Sequence, residues 1–425
     1  MLRFRRALSR PSAREPSGPE PALEEIATMS RHSIAAGALL ATATLLVPRG
    51  AGAMPQLARR TGLDCTACHT TIPRLNEFGF EFRKAGFRLP SEIGTDIKAT
   101  VGDTFGARLQ ARYDVRHHDD AGATTTSNQL TLHEVTLYPL SGAFGSHYGS
   151  LMELSIAGED FVELENAYFR YARGGAKAFF SGRIGIFHPF EGYGASDRPY
   201  SINRPLIQTV AANHNGSTQF TPWNFDQAGL ELAYVANRTS ISGTLFNGLF
   251  VREDEGAFKA FPAAGGGLVK SGGFDRTNSK DFQLFVNQVL KDDGSGLSGY
   301  FYYGNIDLPI PGTHPEDFGP ETSFGNGFYR AALYADYRVM PKVELQGGYQ
   351  LGEDHFFDTA TRSAKGKFRS QGWFGEIDFP VRPKVTLGGR FDWFDPSTRK
   401  SDNGRTRLTL FANTPLNNGL QAITE

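Results

Sequence analysis

Two cysteines, a formal net charge of −1 and the lack of any long apolar run set the first limits on this chain of 425 residues. With acidic and basic side chains in balance and no Lys/Arg run, the sequence has no electrostatic footprint of a nucleic-acid binder, which excludes nucleic acid as a partner. The apolar stretch from Ile34 to Val47 covers about 14 residues, short of the roughly 20 that a helix needs to cross a bilayer, which argues against a helical anchor. It reads instead as part of an export signal. Arg31 and His32 open it, and Ala51-Gly52-Ala53 has the small-x-small form of a cleavage site, so the mature chain is expected to begin at Met54. The Pro-, Arg- and Glu-rich residues 1–28 precede the signal, point to Met29 as the translation start, and are expected to be disordered or absent in the cell. What the chain has in plenty is Gly (49), Phe (34) and Tyr (15), a profile that suits a β-rich protein with tight turns and ring-lined surfaces.

Both cysteines fall in Cys65-Thr66-Ala67-Cys68-His69. This spacing lets two thiols add to the two vinyl groups of one haem while the next His binds iron, so Cys65 and Cys68 are the expected attachment points and His69 the proximal ligand of one covalent haem c. A structural disulfide, a thioredoxin-like redox pair and half of a zinc site compete for the same residues. A zinc site would want a second Cys or His pair nearby, and none occurs before His117. A redox pair should open a helix inside a βαβ unit, and the flanking sequence shows no such unit.

Downstream, Pro73, then Leu75, Phe78, Phe82 and Ala85 at helical spacing, and Gly86 as terminator predict one amphipathic helix with a Phe-rich face. That face serves ordinary core packing, the porphyrin edge, or both. Residues 54–100 form the expected cytochrome domain, too small to build a core without a prosthetic group or a partner wall. Between His69 and His117 there is no Met and no His, so the usual downstream Met ligand is missing. Met54, a His or Met from the following domain, or no protein ligand at all remain as sixth-position alternatives.

From Asp103 the period changes to two. Phe105, Ala107, Leu109, Ala111, Tyr113 and Val115 alternate with Thr104, Gly106, Arg108, Gln110, Arg112 and Asp114, the pattern of a strand with one apolar and one polar face. Strand-like segments follow near 103–116, 129–139, 147–157, 162–172, 178–188, 226–235, 239–249, 280–290, 297–305, 328–338, 343–352, 371–379, 385–394 and 405–413, with a partial one from Leu420. Tight connections such as Arg173-Gly174-Gly175, Ala236-Asn237-Arg238, Asp292-Asp293-Gly294, Met340-Pro341 and Arg382-Pro383 alternate with mostly long polar ones, notably 189–225, 250–279 and 306–327. Short turns on one rim and long loops on the other predict a transmembrane antiparallel β-barrel over residues 101–425. An even number of about sixteen strands is expected, the last one truncated at the chain end.

The stretch Met54 to Gly62, the Cys-x-x-Cys-His motif, then Pro73, Leu75, Phe78-Gly79 and Phe82 to Gly86 resemble the fused cytochrome-porins of iron-oxidising bacteria. Segments such as Glu163 to Tyr168 and Gly182 to Phe190 look like polyanion- or phosphate-type porins. The resemblance implies haem on Cys65, Cys68 and His69, a place in the outer membrane of a Gram-negative bacterium, and electron transfer from an extracellular donor, Fe(II) in that family. It also implies a periplasmic electron carrier, a soluble cytochrome or copper protein, as acceptor, and outer-membrane lipid as surroundings. Iron(II) oxidation would be the corresponding redox activity. A diffusion porin with a haem-containing plug, or a haem enzyme with an open sixth site, are the alternatives. Three clusters, His117-His118-Asp119-Asp120, His314 with Glu316 and Asp317, and Glu353-Asp354-His355, read mainly as solvated charge and secondarily as outer donor sites for Fe(II). Arg108, Arg112 and Arg116 are expected to line the lumen and could meet haem propionates.

Overall fold

The computed structural model describes residues 54–71, 74–120, 123–157, 161–189, 204–214, 217–219, 226–254, 257–262, 280–291, 293–312, 321–340, 342–358, 361, 363–382, 385–417 and 420–424. Alternation of side chains decides the architecture. On the strand Gln227–Ala236, Leu230 and Leu232 are 45% and 66% exposed while Glu231 between them is 2% exposed. An apolar outer face and a polar inner face reverse the usual order of a water-soluble sheet, and suit a wall with lipid outside.

The barrel strands are β1 (Gly106–Asp120), β2 (Ala123–Tyr138), β3 (Tyr148–Ala157), β4 (Phe161–Gly175), β5 (Ala178–Phe187), β6 (Gln227–Ala236), β7 (Thr239–Phe246), β8 (Asp281–Val289), β9 (Gly296–Pro309), β10 (Ser323–Met340), β11 (Val343–Asp358), β12 (Ser363–Arg382), β13 (Val385–Asp395), β14 (Arg405–Asn417) and β15 (Leu420–Thr424). Each pairs antiparallel with its neighbour in sequence, and the short strand Gly142–Phe144 beside β3 completes a sixteen-stranded sheet. Every strand expected from the sequence is present. Several run longer than the alternation indicated, β12 most of all, because their outer ends pair beyond the apolar band, as Phe356 does with Gly366. The first strand begins at Gly106 rather than Asp103, since Thr100 to Thr104 close a short capped helix in which the Asp103 carboxylate accepts from the Thr100 N–H at 2.9 Å.

Aromatic side chains ring the short-turn end of the outer face. Phe180 and Tyr234 pack at 4.8 Å across β5 and β6, and Tyr148 and Tyr171 at 5.5 Å across β3 and β4. Such girdles sit where a membrane's apolar layer meets its headgroups. Among the described residues no helix is long and apolar enough to cross a membrane; the strands make the wall.

Inside, the lumen is filled. Arg170, Arg183, Arg330 and Arg390 are fully buried, as are Tyr302, Tyr334 and Phe187. Part of the filling comes from the helix Leu206–Thr209, whose Leu206 N–H donates to the Asp392 carboxylate at 3.0 Å inside β13. The N-terminal segment adds Phe80, Phe82 and Phe87 to the same buried cluster.

Candidate functional site

The N-terminal segment folds as α1 (Pro55–Thr61), α2 (Cys65–Cys68) and α3 (Glu77–Lys84). In α2 the two cysteines are three positions apart, at the two ends of a single helical turn. His69 follows directly and starts a two-residue-deep ribbon in which it pairs with Leu75. The chain thus brings the three residues singled out by the motif into one local structure. Cys68 and His69 are partly exposed.

Asn76 fixes this turn to α3. Its backbone N–H donates to the Cys68 carbonyl at 2.9 Å, its side-chain amide donates to the Ala67 carbonyl at 2.9 Å, and its Oδ1 accepts from the Gly79 N–H at 2.9 Å. One side chain therefore caps a helix start and ties down the end of the Cys-x-x-Cys turn. Gly79 is required at that contact: a Cβ there would collide with the Cys68 carbonyl. This Asn was not singled out in the sequence, although Asn followed by Glu-Phe-Gly is a helix-start signal. Pro73, expected in the first turn, lies outside the described residues, and α3 begins instead at Glu77.

The helix α3 buries more than the face expected from the spacing: Phe82 of that face is covered and Phe78 only partly, while Phe80 and Lys84, on the opposite side of the helix, are covered as well. Phe80, Phe82 and Lys84 are buried. Phe80 meets Phe285 of β8 edge-on at 6.4 Å, and Phe87, just past the helix, stacks on Tyr168 of β4 at 6.4 Å. Lys84 Nζ lies 3.0 Å from Glu231 Oε1 on β6, and the same carboxylate takes Arg170 at 3.2 Å and Arg183 at 2.7 Å. Gly86 has φ +78°, a left-handed turn that reverses the chain after α3 and lets it pass close against Gly149.

The rim holds the chain that follows. Arg88, fully buried, donates to the carbonyls of Phe144 at 3.1 Å, Ser146 at 2.7 Å and Tyr148 at 2.5 Å. Ile97 bridges to Gly145. These partners run from the end of the strand Gly142–Phe144 to the first residue of β3, on the short-turn side, so the segment enters the lumen from that end. Burial, and next Arg60, lower the Arg88 pKa, while burial and the neighbouring Glu77 raise that of Glu81.

The remaining expected residues are placed differently. Arg108 pairs with Glu134 at 2.5 Å and lies 3.5 Å from Glu153, so its charge is already matched by the wall; the side chains of Arg112 and Arg116 lie outside the described residues. Met54 is partly buried and packs with Leu57 against the lumen cluster. The Glu353-Asp354-His355 cluster is divided by the strand's alternation: Glu353 pairs with Lys367 at 2.9 Å, Asp354 turns to buried Arg330 at 2.9 Å, and His355 Nδ1 lies 2.6 Å from the Gly327 carbonyl. His314, Glu316 and Asp317, and the side chains of His117 to Asp120, lie outside the described residues. Among the described residues no group of three or more His, Cys, Asp or Glu could hold a metal ion.

Neither a protein-family model nor a curated protein matches the chain. Three solved outer-membrane structures are similar in broad outline. A loop-deletion mutant of OmpT, an outer membrane protein of Vibrio cholerae, covers 72% of this chain and 96% of its own at 8% identity and a TM-score of 0.35. The outer membrane channel DcaP of Acinetobacter baumannii covers 75% and 96% at 11% identity and a TM-score of 0.32. The anion-selective porin of Comamonas acidovorans covers 75% and 97% at 9% identity and a TM-score of 0.30. At these values the likeness carries nothing about cargo or chemistry.

Proposed function

We propose that this chain is an outer-membrane, porin-type barrel whose N-terminal segment holds one covalent haem c and passes electrons from an extracellular donor, Fe(II) foremost, to a periplasmic carrier. The observation that carries the reading is the rigid link between Cys65-x-x-Cys68-His69 and a helix buried in the lumen by Lys84 and Phe80. Two cysteines at the ends of one helical turn, followed directly by a histidine, are the residue types in the order that a haem c needs, with Cys65 and Cys68 as thioether partners and His69 on iron. When bound, the group supplies a one-electron carrier at the short-turn end of the barrel. The chain's own contribution is to position that segment: Asn76 and Gly79 hold the turn on α3, while Glu231 and Arg88 hold the segment to the wall.

Localisation follows from the wall. Apolar side chains such as Ile184, Leu232, Leu408 and Leu410 are more than 60% exposed, and only lipid makes such a surface favourable. A diffusion porin with a haem-containing plug is the second reading, and it rests on the same porin-type wall. An enzyme with a distal His-Arg pair finds no support in residues 54–100, where His69 is the only histidine.

The test is anaerobic addition of Fe(II) to membranes from cells that make the chain together with haem-attachment machinery. Appearance of reduced haem bands is the expected result. Covalent haem that stays oxidised under excess Fe(II) would remove Fe(II) as the donor.

A further inference from the structure

On the reading that Cys65, Cys68 and His69 hold a haem, we propose that a chain of buried aromatic side chains, Phe82, Phe87, Tyr168, Phe187 and Phe246, is the electron path between that segment and the long-loop end of the barrel. The rings follow one another without a gap. Phe82 lies 6.5 Å from Phe87, Phe87 6.4 Å from Tyr168, Tyr168 6.0 Å from Phe187, and Phe187 5.4 Å from Phe246, centroid to centroid. Such separations are those of packed aromatic pairs. At the inner end Phe78 stacks on Phe82 at 6.3 Å, within the helix that Asn76 ties to the Cys-x-x-Cys turn. At the outer end Phe187 and Phe246 are the last residues of β5 and β7, where the chain leaves the wall on the long-loop side. All five rings are buried, none more than 4% exposed.

Electron tunnelling falls off more steeply across empty or water-filled gaps than through bonded and closely packed atoms. A bilayer's apolar layer is about 30 Å thick, too far for one carrier at one rim to meet a donor at the other without an intervening medium. Ring contacts in series supply that medium. The rings act as a bridge and hold no charge, since the Arg183 guanidinium lies 3.6 Å from the Phe187 ring and 5.1 Å from that of Tyr168, which makes removal of an electron from either ring costly. With a haem held by Cys65, Cys68 and His69, one electron would leave an Fe(II)-type donor, giving Fe(III), and would take that haem from the ferric to the ferrous state. No proton moves and no ring is oxidised or reduced on balance.

The experiment uses the full-length holo-protein in detergent with Asn247→Cys, exposed beside Phe246, labelled with a ruthenium polypyridyl. Light excites the label, and transfer of its electron to the haem shortens its luminescence lifetime. Phe187→Leu and Tyr168→Leu should each slow that quenching severalfold at unchanged haem content, Tyr168→Phe should keep it, and Phe374→Leu, a lumen ring outside the path, should leave it alone. Equal quenching in Phe187→Leu and Tyr168→Leu chains with full haem content would overturn the ring path and leave the haem site standing. Absence of covalent haem from the parent chain would overturn the haem reading, and the path with it.

Discussion

Lys84 and Glu231 stand 147 positions apart in the sequence and meet at 3.0 Å, both shielded from water. One belongs to the helix that follows the Cys-x-x-Cys-His turn, the other to the barrel wall, so this pair converts a small N-terminal segment into part of the lumen filling. Glu231 accepts from Arg170 and Arg183 as well. Removing the carboxylate takes one shared acceptor from three buried cations at once, at a cost of about 3–5 kcal/mol. Lys84→Met leaves Glu231 with both arginines and should cost less. Thermal unfolding in micelles and the rate of proteolytic release of residues 54–105 should rank parent, Lys84→Met and Glu231→Gln in falling order of stability. Equal effects of the two substitutions would mean that Glu231 does not organise the cluster.

Covalent attachment is the second expectation. Alanine at Cys65, Cys68 or His69 should abolish stable holo-protein, because two thioether bonds and one iron bond hold the group. A haem stain that survives denaturing gels in the double Cys→Ala chain would contradict it.

Gly79→Ala probes the join between turn and helix. The added methyl must displace the Cys68 carbonyl and with it the bond from the Asn76 N–H. Haem incorporation per barrel should fall although no attachment residue has changed, and a Gly79→Ala chain with full haem content would show that the turn is held some other way.

Docking of the segment should weaken as pH rises. Burial and Glu77 raise the Glu81 carboxyl above its ordinary value of 4.5. The folded state therefore holds a proton that the released segment gives up between the ordinary and the raised value, and stability declines as pH climbs through that window. Proteolytic release of residues 54–105 should quicken across it, and Glu81→Gln should flatten the dependence. An unchanged profile in Glu81→Gln would assign it to another group.

Much of the fold was legible because a two-residue period is a local signal: Phe105 to Val115 and its successors announced every barrel strand, and Gly- and Pro-bearing turns gave their parity. The Cys-x-x-Cys-His motif is local in the same way, five residues in a row, whereas its tie to α3 through Asn76 and Gly79 is not announced by it. Where the partner is distant the sequence is silent. Leu206 to Thr209 sat in a segment expected to be a polar loop, and its helix is held by Asp392, 186 positions away. Likewise the hairpin Leu249–Asp254 with Ala257–Pro262 forms inside a stretch expected to be loop. Arg108 was expected to face inward, toward haem propionates or lumen water, because alternation says only which way it points; register sets Thr136 opposite it and Glu134 on the diagonal, within reach of the guanidinium, which one strand cannot reveal.

The central claim is that residues 54–105 close the barrel rather than hang from it. Full-length holo-protein and a chain lacking residues 56–98 should be compared in planar bilayers at equal numbers of inserted barrels. Phe80, Phe82, Lys84 and Phe87 leave the lumen in the shortened chain, so it should conduct ions where the holo-protein does not. Equal conductance of the two would place the segment outside the pore and contradict the account.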